Sequence, residues 1–154
     1  MNEYLKAKDA ISGGAGEATV TIDGRVYNLF SAKKINAKVS KSKADIKVIG
    51  ARGVQKKAAG FSGSGTLSLY DVSSVFRKLM IDYMDRGKDF YFDLTVRSYD
   101  ESSDYGAQTV TLYDCNLDEV TLAQLDADAD ALEAEYPFTF ARAAMSEEYT
   151  NSDI

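Results

Sequence analysis

From Leu132 to Phe140 the chain alternates without a break. Leu132, Ala134, Tyr136, Phe138 and Phe140 are separated by Glu133, Glu135, Pro137 and Thr139. Successive side chains on a strand point to opposite faces, so this period specifies a strand with one buried face and one wet face. A helix, with its 3.6-residue period, would scatter the aromatics around its axis. Pro137 lacks an amide donor, which favours an edge position or a bulge.

The same period recurs along the chain. Ala18, Val20 and Ile22 share a face in EATVTIDG, and Asp23-Gly24 is the residue pair of a two-residue hairpin turn. In KKINAKVSK, Ile35, Ala37 and Val39 are expected inward, with Lys34, Asn36 and Lys38 outward. ADIKVIG alternates through Ile46 and Val48, and TLSLY resumes a strand at Thr66. Phe90, Phe92, Leu94 and Val96 alternate with Tyr91, Asp93, Thr95 and Arg97. After the turn ESSDYG, Val110 and Leu112 return in register, so these two segments read as a hairpin.

SSVFRKLMIDYMDRG departs from this period. Val75, Phe76, Leu79, Met80, Tyr83 and Met84 follow helical spacing, Ser73 or Ser74 can cap the start, and Gly87 can end it. Asp82 and Arg86 form an i,i+4 pair opposite. A helix over 74–86 with its apolar stripe against a sheet is predicted. With about seven strands, this makes the fold mainly β: an antiparallel β-sandwich or barrel with one flanking α-helix.

A chain of 154 residues suits one domain. Residues 1–16, polar and then glycine-rich at Gly13, Gly14 and Gly16, read as an N-terminal arm. Residues 17–142 form the β domain, and 143–154 a polar, mobile tail. Residues 50–65 hold five glycines with Arg52, Lys56 and Lys57, and read as a long exposed loop.

The chemistry is narrow. There is no histidine, which removes Ser-His and Cys-His nucleophile pairs and imidazole-based zinc sites. Cys115 stands alone, so no intramolecular disulfide or thiolate metal site is available. It reads as a structural thiol, in a chain suited to synthesis in a reducing cytoplasm. No apolar run reaches the length of a membrane span, and MNEYLKAKDAISGG lacks the apolar stretch of a secretory signal.

Asp126, Asp128 and Asp130 can be laid on the first positions of an EF-hand loop. Its sixth position, normally glycine, would be Ala131, and its twelfth, normally glutamate, would be Pro137. LDADAD therefore reads as a turn. Gly60 to Gly65 starts like a phosphate loop, but Thr66 and Leu67 stand where Lys and Ser/Thr are needed, and a strand follows. Gly14-Ala-Gly16 fails as a dinucleotide fingerprint in the same way. Asp118 with Glu119, and Glu147 with Glu148, read as solvated pairs. No catalytic residue, cofactor or metal is expected, and a carboxylate enzyme is the weakest of the readings.

Net charge is −6, unevenly placed. Residues 1–60 carry 12 Lys and Arg against 5 Asp and Glu, while residues 61–154 carry 6 against 19. Such a molecule can dock head to tail on copies of itself. Its lysines are scattered over strand-like sequence, so sequence-specific nucleic-acid binding is not expected.

Taken in order, KSKADIKVIGARG, KKAAGFSGSGT, YDVSSVF, LMIDYMDRGKDFYFDL, VTLYDCNLDEV and LDADADALEAEYPFTF resemble the tail tube proteins of contractile phage tails and phage-tail-like bacteriocins. The resemblance is to the group typified by the tube protein of a defective Bacillus prophage, over about residues 10–142. The resemblance implies a tube fold related to that of type VI secretion. It implies six-membered rings stacked into a hollow tube, with hairpins of neighbouring protomers joined in one inner barrel. It also implies a sheath around the tube, baseplate and tail-terminator partners, and, in a phage, DNA in the lumen. A type VI-like tube or a ring-forming tail adaptor is the alternative. On this reading Gly50, Arg52, Gly53, Val54, Lys56, Lys57, Gly60 and Phe61 are candidate contacts between subunits or rings. Glu147 and Glu148 are candidate sheath contacts.

Overall fold

The computed structural model describes residues 5–151 and residue 153. After a short 3-10 turn at Ala7–Asp9 come β1 (Gly16–Ile22), β2 (Arg25–Asn28), β3 (Ala32–Ile46) and β4 (Gln55–Tyr70). The helix α1 (Val75–Arg86) follows, then β5 (Phe92–Tyr99), β6 (Ala107–Leu117), β7 (Glu133–Phe140) and β8 (Arg142–Glu147). The fold is mainly β and antiparallel, in the order β2-β1-β5-β6-β7-β4-β3, with β8 on β6.

The sheet doubles back on itself at β6. Residues Thr109–Tyr113 pair with β8, whereas Asn116 and Leu117 pair with β7. The break between them is a bulge: Phe92 opposes Cys115, but Leu94 opposes Leu112. Asp114 takes a φ of 55° there. One extra residue inverts the side-chain parity of a strand. Leu112 on one side of the bulge and Cys115 and Leu117 on the other therefore all enter the core.

That core lies between the two layers so formed. Val20, Leu67, Leu94, Cys115 and Phe138 are fully enclosed. An aromatic row runs through it, with Phe76 5.8 Å from Phe92 and 5.6 Å from Tyr136, and Phe138 6.4 Å from both Phe92 and Phe140. Gly63 and Gly65 make room for the last two rings. A Cβ at Gly63 would meet the Phe140 ring, and one at Gly65 would run into the Phe138 ring and the Asn36 carbonyl.

Gly87 closes α1 in the left-handed conformation (φ 71°), its N–H donating to the Tyr83 carbonyl at 2.8 Å. The apolar stripe read from the sequence is covered only in its first half. Phe76 is buried and Val75, Leu79 and Met80 are half-buried, but Tyr83 and Met84 are exposed.

Three other expectations are corrected. Residues 50–65 are not a loop: β4 begins at Gln55, and only the turn between Ile46 and Gln55 remains. A ladder is built from backbone groups, so a Gly-, Ser- and Ala-rich segment forms a strand once a long partner is supplied. Residues 143–147 are not a mobile tail but part of β8, held on β6; residues 152 and 154 lie outside the described residues. Ala37, Val39 and Ile46 are exposed: Ala37 and Val39 lie on the terminal strand of the sheet, opposite Gly65 and Gly63, and Ile46 lies where the ladder outruns the body.

The arm is strapped rather than free, over its described part. The Asp104 amide donates to the buried Asp9 carboxylate at 3.2 Å, and the Ser103 hydroxyl to the Asp9 carbonyl at 3.0 Å. The Ser12 amide donates to the Asp100 carboxylate at 3.0 Å. Residues 1–4 of the expected arm lie outside the described residues.

Candidate assembly interface

β7 leaves the β4 ladder at Phe140, opposite Gly63. Beyond that point β3 and β4 pair with each other, from Ser40 opposite Ser62 to Ile46 opposite Gln55. Among the described residues nothing else joins this two-stranded ribbon, which extends roughly 20 Å past the body at the ordinary strand rise. A lone ribbon is marginal in water, and an open edge invites another chain.

The two faces of the ladder differ. One carries Lys34, Asn36, Lys38, Ser40 and Ser42 beside Ser62, Ser64, Thr66 and Ser68, and is polar along its length. The other carries Ile35 and Leu67 over the core, then Val39 opposite Gly63 at the level of Phe140, and past it Phe61 opposite Lys41; Val39 and Phe61 are 54% and 65% exposed. The inner apolar face thus runs on beyond the material that buries it.

All eight candidate contact residues lie on this hairpin. Gly50 (φ 85°), Arg52, Gly53 and Val54 form the tip, which Ala51 braces by donating to the Val48 carbonyl at 3.2 Å. Lys56, Lys57, Gly60 and Phe61 stand on β4, and Lys56 pairs with Asp45 across the ribbon at 2.5 Å. Gly60, with a φ of 143°, sits where the register slips between Ser42 and Lys43. Val48 and Val54 at the tip are about half exposed, and Ile49 completely.

Glu147 and Glu148 are not alike. The Glu147 carboxylate accepts from the Thr109 hydroxyl at 2.7 Å and from Arg97 Nε at 3.1 Å. These two bonds hold its pKa below the usual carboxylate range, the hydroxyl contributing most. Glu147 therefore clamps β8 to β6 and β5, while Glu148 lies past the end of β8, exposed.

The far end of the β3–β4 ladder, where Ala32 opposes Leu69, has a different character. An apolar cavity of about 140 Å³ opens there under the start of α1, lined by Leu29, Phe30, Leu69, Val75, Phe76 and Tyr136 among others. Asp71, also on its wall, accepts from Arg77 Nη2 at 2.6 Å and from Gln124 Nε2 at 2.9 Å. Arg77 foremost, then Gln124, holds the Asp71 carboxyl below its ordinary pKa. Arg77 Nε also donates to the Thr121 carbonyl, so segment 118–132 is tied to this end.

Sequence reading missed this network, the Arg97–Glu147–Thr109 cluster and the strand β8. The spacing of Gly63 and Gly65 against Phe138 and Phe140 is a signal that could have placed β4 beside β7. The Asp126 carboxylate accepts from the Asp128 amide at 3.0 Å, a turn geometry. Among the described residues no three Cys, Asp or Glu side chains converge as a metal site would require. Cys115 is buried, which pushes its thiol up to about 12.

Residues 3–147 match the family model described as phage tail tube protein. The chain is 42% identical over 136 residues to the phage-like element PBSX protein XkdM of Bacillus subtilis (strain 168), covering 88% of this chain and 90% of that one. Among solved structures, the PVC extracellular contractile injection system sheath-tube complex in its extended state contains a chain of the same fold. Its TM-score is 0.64 at 13% identity, over 91% of this chain and 93% of that one. Hcp1 from Flavobacterium johnsoniae shares the fold at a TM-score of 0.51 and 10% identity, over 86% and 97%. By its match to the family model over residues 3–147, this β-rich chain belongs to the phage tail tube protein family, as a structural component and not an enzyme.

Proposed function

We propose that this chain closes into six-membered rings that stack head to tail as the hollow inner tube of a contractile phage tail or tailocin, surrounded by a sheath and bounded by baseplate and terminator proteins. The ribbon beyond Phe140 is the observation that carries this reading. Its open edge and its exposed Phe61, with Val39 at its base, are costs for a monomer and assets for a ring, where a neighbour's strands complete the ladder. The kinship with a protein of a phage-like element supports a place in a tail particle, and the sheath-tube complex is consistent with a sheath partner.

Electron microscopy of the concentrated protein tests it, alone and with an assembled baseplate as nucleus. Hollow tubes of stacked rings are expected. Rings that never stack would point to the ring-forming adaptor instead. Monomers that persist on the baseplate would overturn the reading.

A further inference from the structure

The tip of the β3–β4 hairpin and the cavity under α1 lie at opposite ends of one ladder. Ile46 opposes Gln55 at the first end and Ala32 opposes Leu69 at the second. Some 14 steps of strand separate them, about 45 Å at the ordinary rise, so a tip cannot reach the cavity of its own chain. A copy displaced along the ladder presents its cavity to the tip. We propose that the tip of one copy seats Ile49 in the cavity of the next, with Lys47 and Arg52 against the acidic segment at its rim. This contact rests on the stacked-tube reading and gives it a defined joint.

Size, polarity and charge agree. An apolar cavity of roughly 150 Å³ accepts a benzene molecule, so the 140 Å³ here takes one aliphatic side chain. Ile49 is fully exposed, with Val48 and Val54 beside it. Residues 43–57 carry Lys43, Lys47, Arg52, Lys56 and Lys57 against Asp45 alone. Segment 118–132, bound to the cavity wall through Gln124 and Asp71, carries Asp118, Glu119, Asp126, Asp128 and Asp130 and no Lys or Arg. Leu125 in that segment, next to Gln124, is 97% exposed. The two surfaces are different patches of one chain, so their contact is heterologous and propagates.

Cysteine cross-linking tests the joint directly, because buried Cys115 stays out of the reaction. Ile49→Cys and Phe30→Cys, at the exposed tip and the exposed cavity mouth, are mixed, assembled and mildly oxidised. Disulfide-linked dimers are expected from the mixture and not from either variant alone. Tubes of normal appearance without the mixed dimer would overturn the joint and leave the tube standing. Absence of rings and tubes from the unmodified chain would instead remove the tube reading itself. A charge exchange gives a second arm at about 0.15 M salt, where exposed charges beyond ~8 Å are screened and contacts are not. Lys47→Glu with Arg52→Glu, and separately Asp128→Lys with Asp130→Lys, are expected to stop stacking, and all four together to restore it. Stacking unaffected by either pair, or not restored by the four, would overturn the charge match.

Discussion

Arg77 and Asp71 meet at 2.6 Å at the point where β4 gives way to α1, both side chains largely removed from water. Through Arg77 Nε to Thr121 and through Gln124 to Asp71 and the Glu133 carbonyl, this pair ties the helix to the 118–132 segment. It is a local clamp on a region with little regular structure of its own.

Asp71→Asn is expected to destabilise the folded chain by about 1–3 kcal/mol, the range for a lost hydrogen bond to a charged partner in a partly buried site. The Asp71 pKa is lowered in the fold, so its contribution is present above the ordinary carboxylate range and is lost as pH falls through the folded value. Urea unfolding at neutral pH should show the gap between wild type and Asp71→Asn, and at the acid end the gap should close. An equal gap at both pH values would remove the ionised pair as its cause.

Gly65→Ala is expected to be far worse than Gly63→Ala. The new methyl at residue 65 meets the Asn36 backbone carbonyl, which cannot move without breaking the ladder, and the enclosed Phe138 ring. At residue 63 its nearest neighbours are atoms of the Phe140 side chain, at the end of the body. Overpacking of this kind costs about 1–3 kcal/mol or more. Thermal melts should rank wild type, Gly63→Ala and Gly65→Ala in falling order, with Gly13→Ala, whose methyl meets nothing, as an unchanged control.

Those glycines also show why some of the fold was legible and some was not. Residues 132–140 and 90–98 could be read because an apolar residue falls at every second place and each side chain is large enough to record its own burial. β4 between Gln55 and Gly65 hides its period, since its inward residues over the body are glycines that yield their space to rings on β7. β8, written RAAMSE, is exposed throughout and is placed by its backbone and by Glu147, neither of which leaves a pattern. The bulge at Asp114 broke the alternation of β6, so its period was legible only through Val110 and Leu112. Val39 had the right period but could not reveal that the body ends at its level, and Phe61 fell in the segment read as a loop. The candidate contact residues were collected on one element, although as a ribbon and not as a loop.

Glu147 and Glu148 should separate two roles that adjacency in sequence merges. Glu147→Gln loses the charge that Arg97 and Thr109 hold, and is expected to raise amide exchange in β8 several-fold with the rest of the chain unchanged. Glu148→Lys, beyond the strand, should leave exchange and melting as they are. Only the second variant is therefore a clean probe of sheath contact. If Glu147→Gln left β8 as protected as before, the strand would be held by its ladder alone.

Phe61→Ser with Val39→Thr is expected to spare the monomer and stop assembly. Both side chains are more than half exposed, so their removal forfeits little burial within one chain, and stability should stay within about 0.5 kcal/mol. In a closed ring the same residues would be covered by the neighbouring ribbon, where burying a large apolar side chain contributes roughly 1.5–3 kcal/mol. On the proposed six-membered ring, six such contacts would multiply the loss. Urea melts of the unassembled protein, set beside electron microscopy at matched concentration, distinguish the two effects. A monomer of unchanged stability that forms no rings is the expected result. Normal rings from this variant would mean that the apolar continuation past Phe140 is not where neighbours meet.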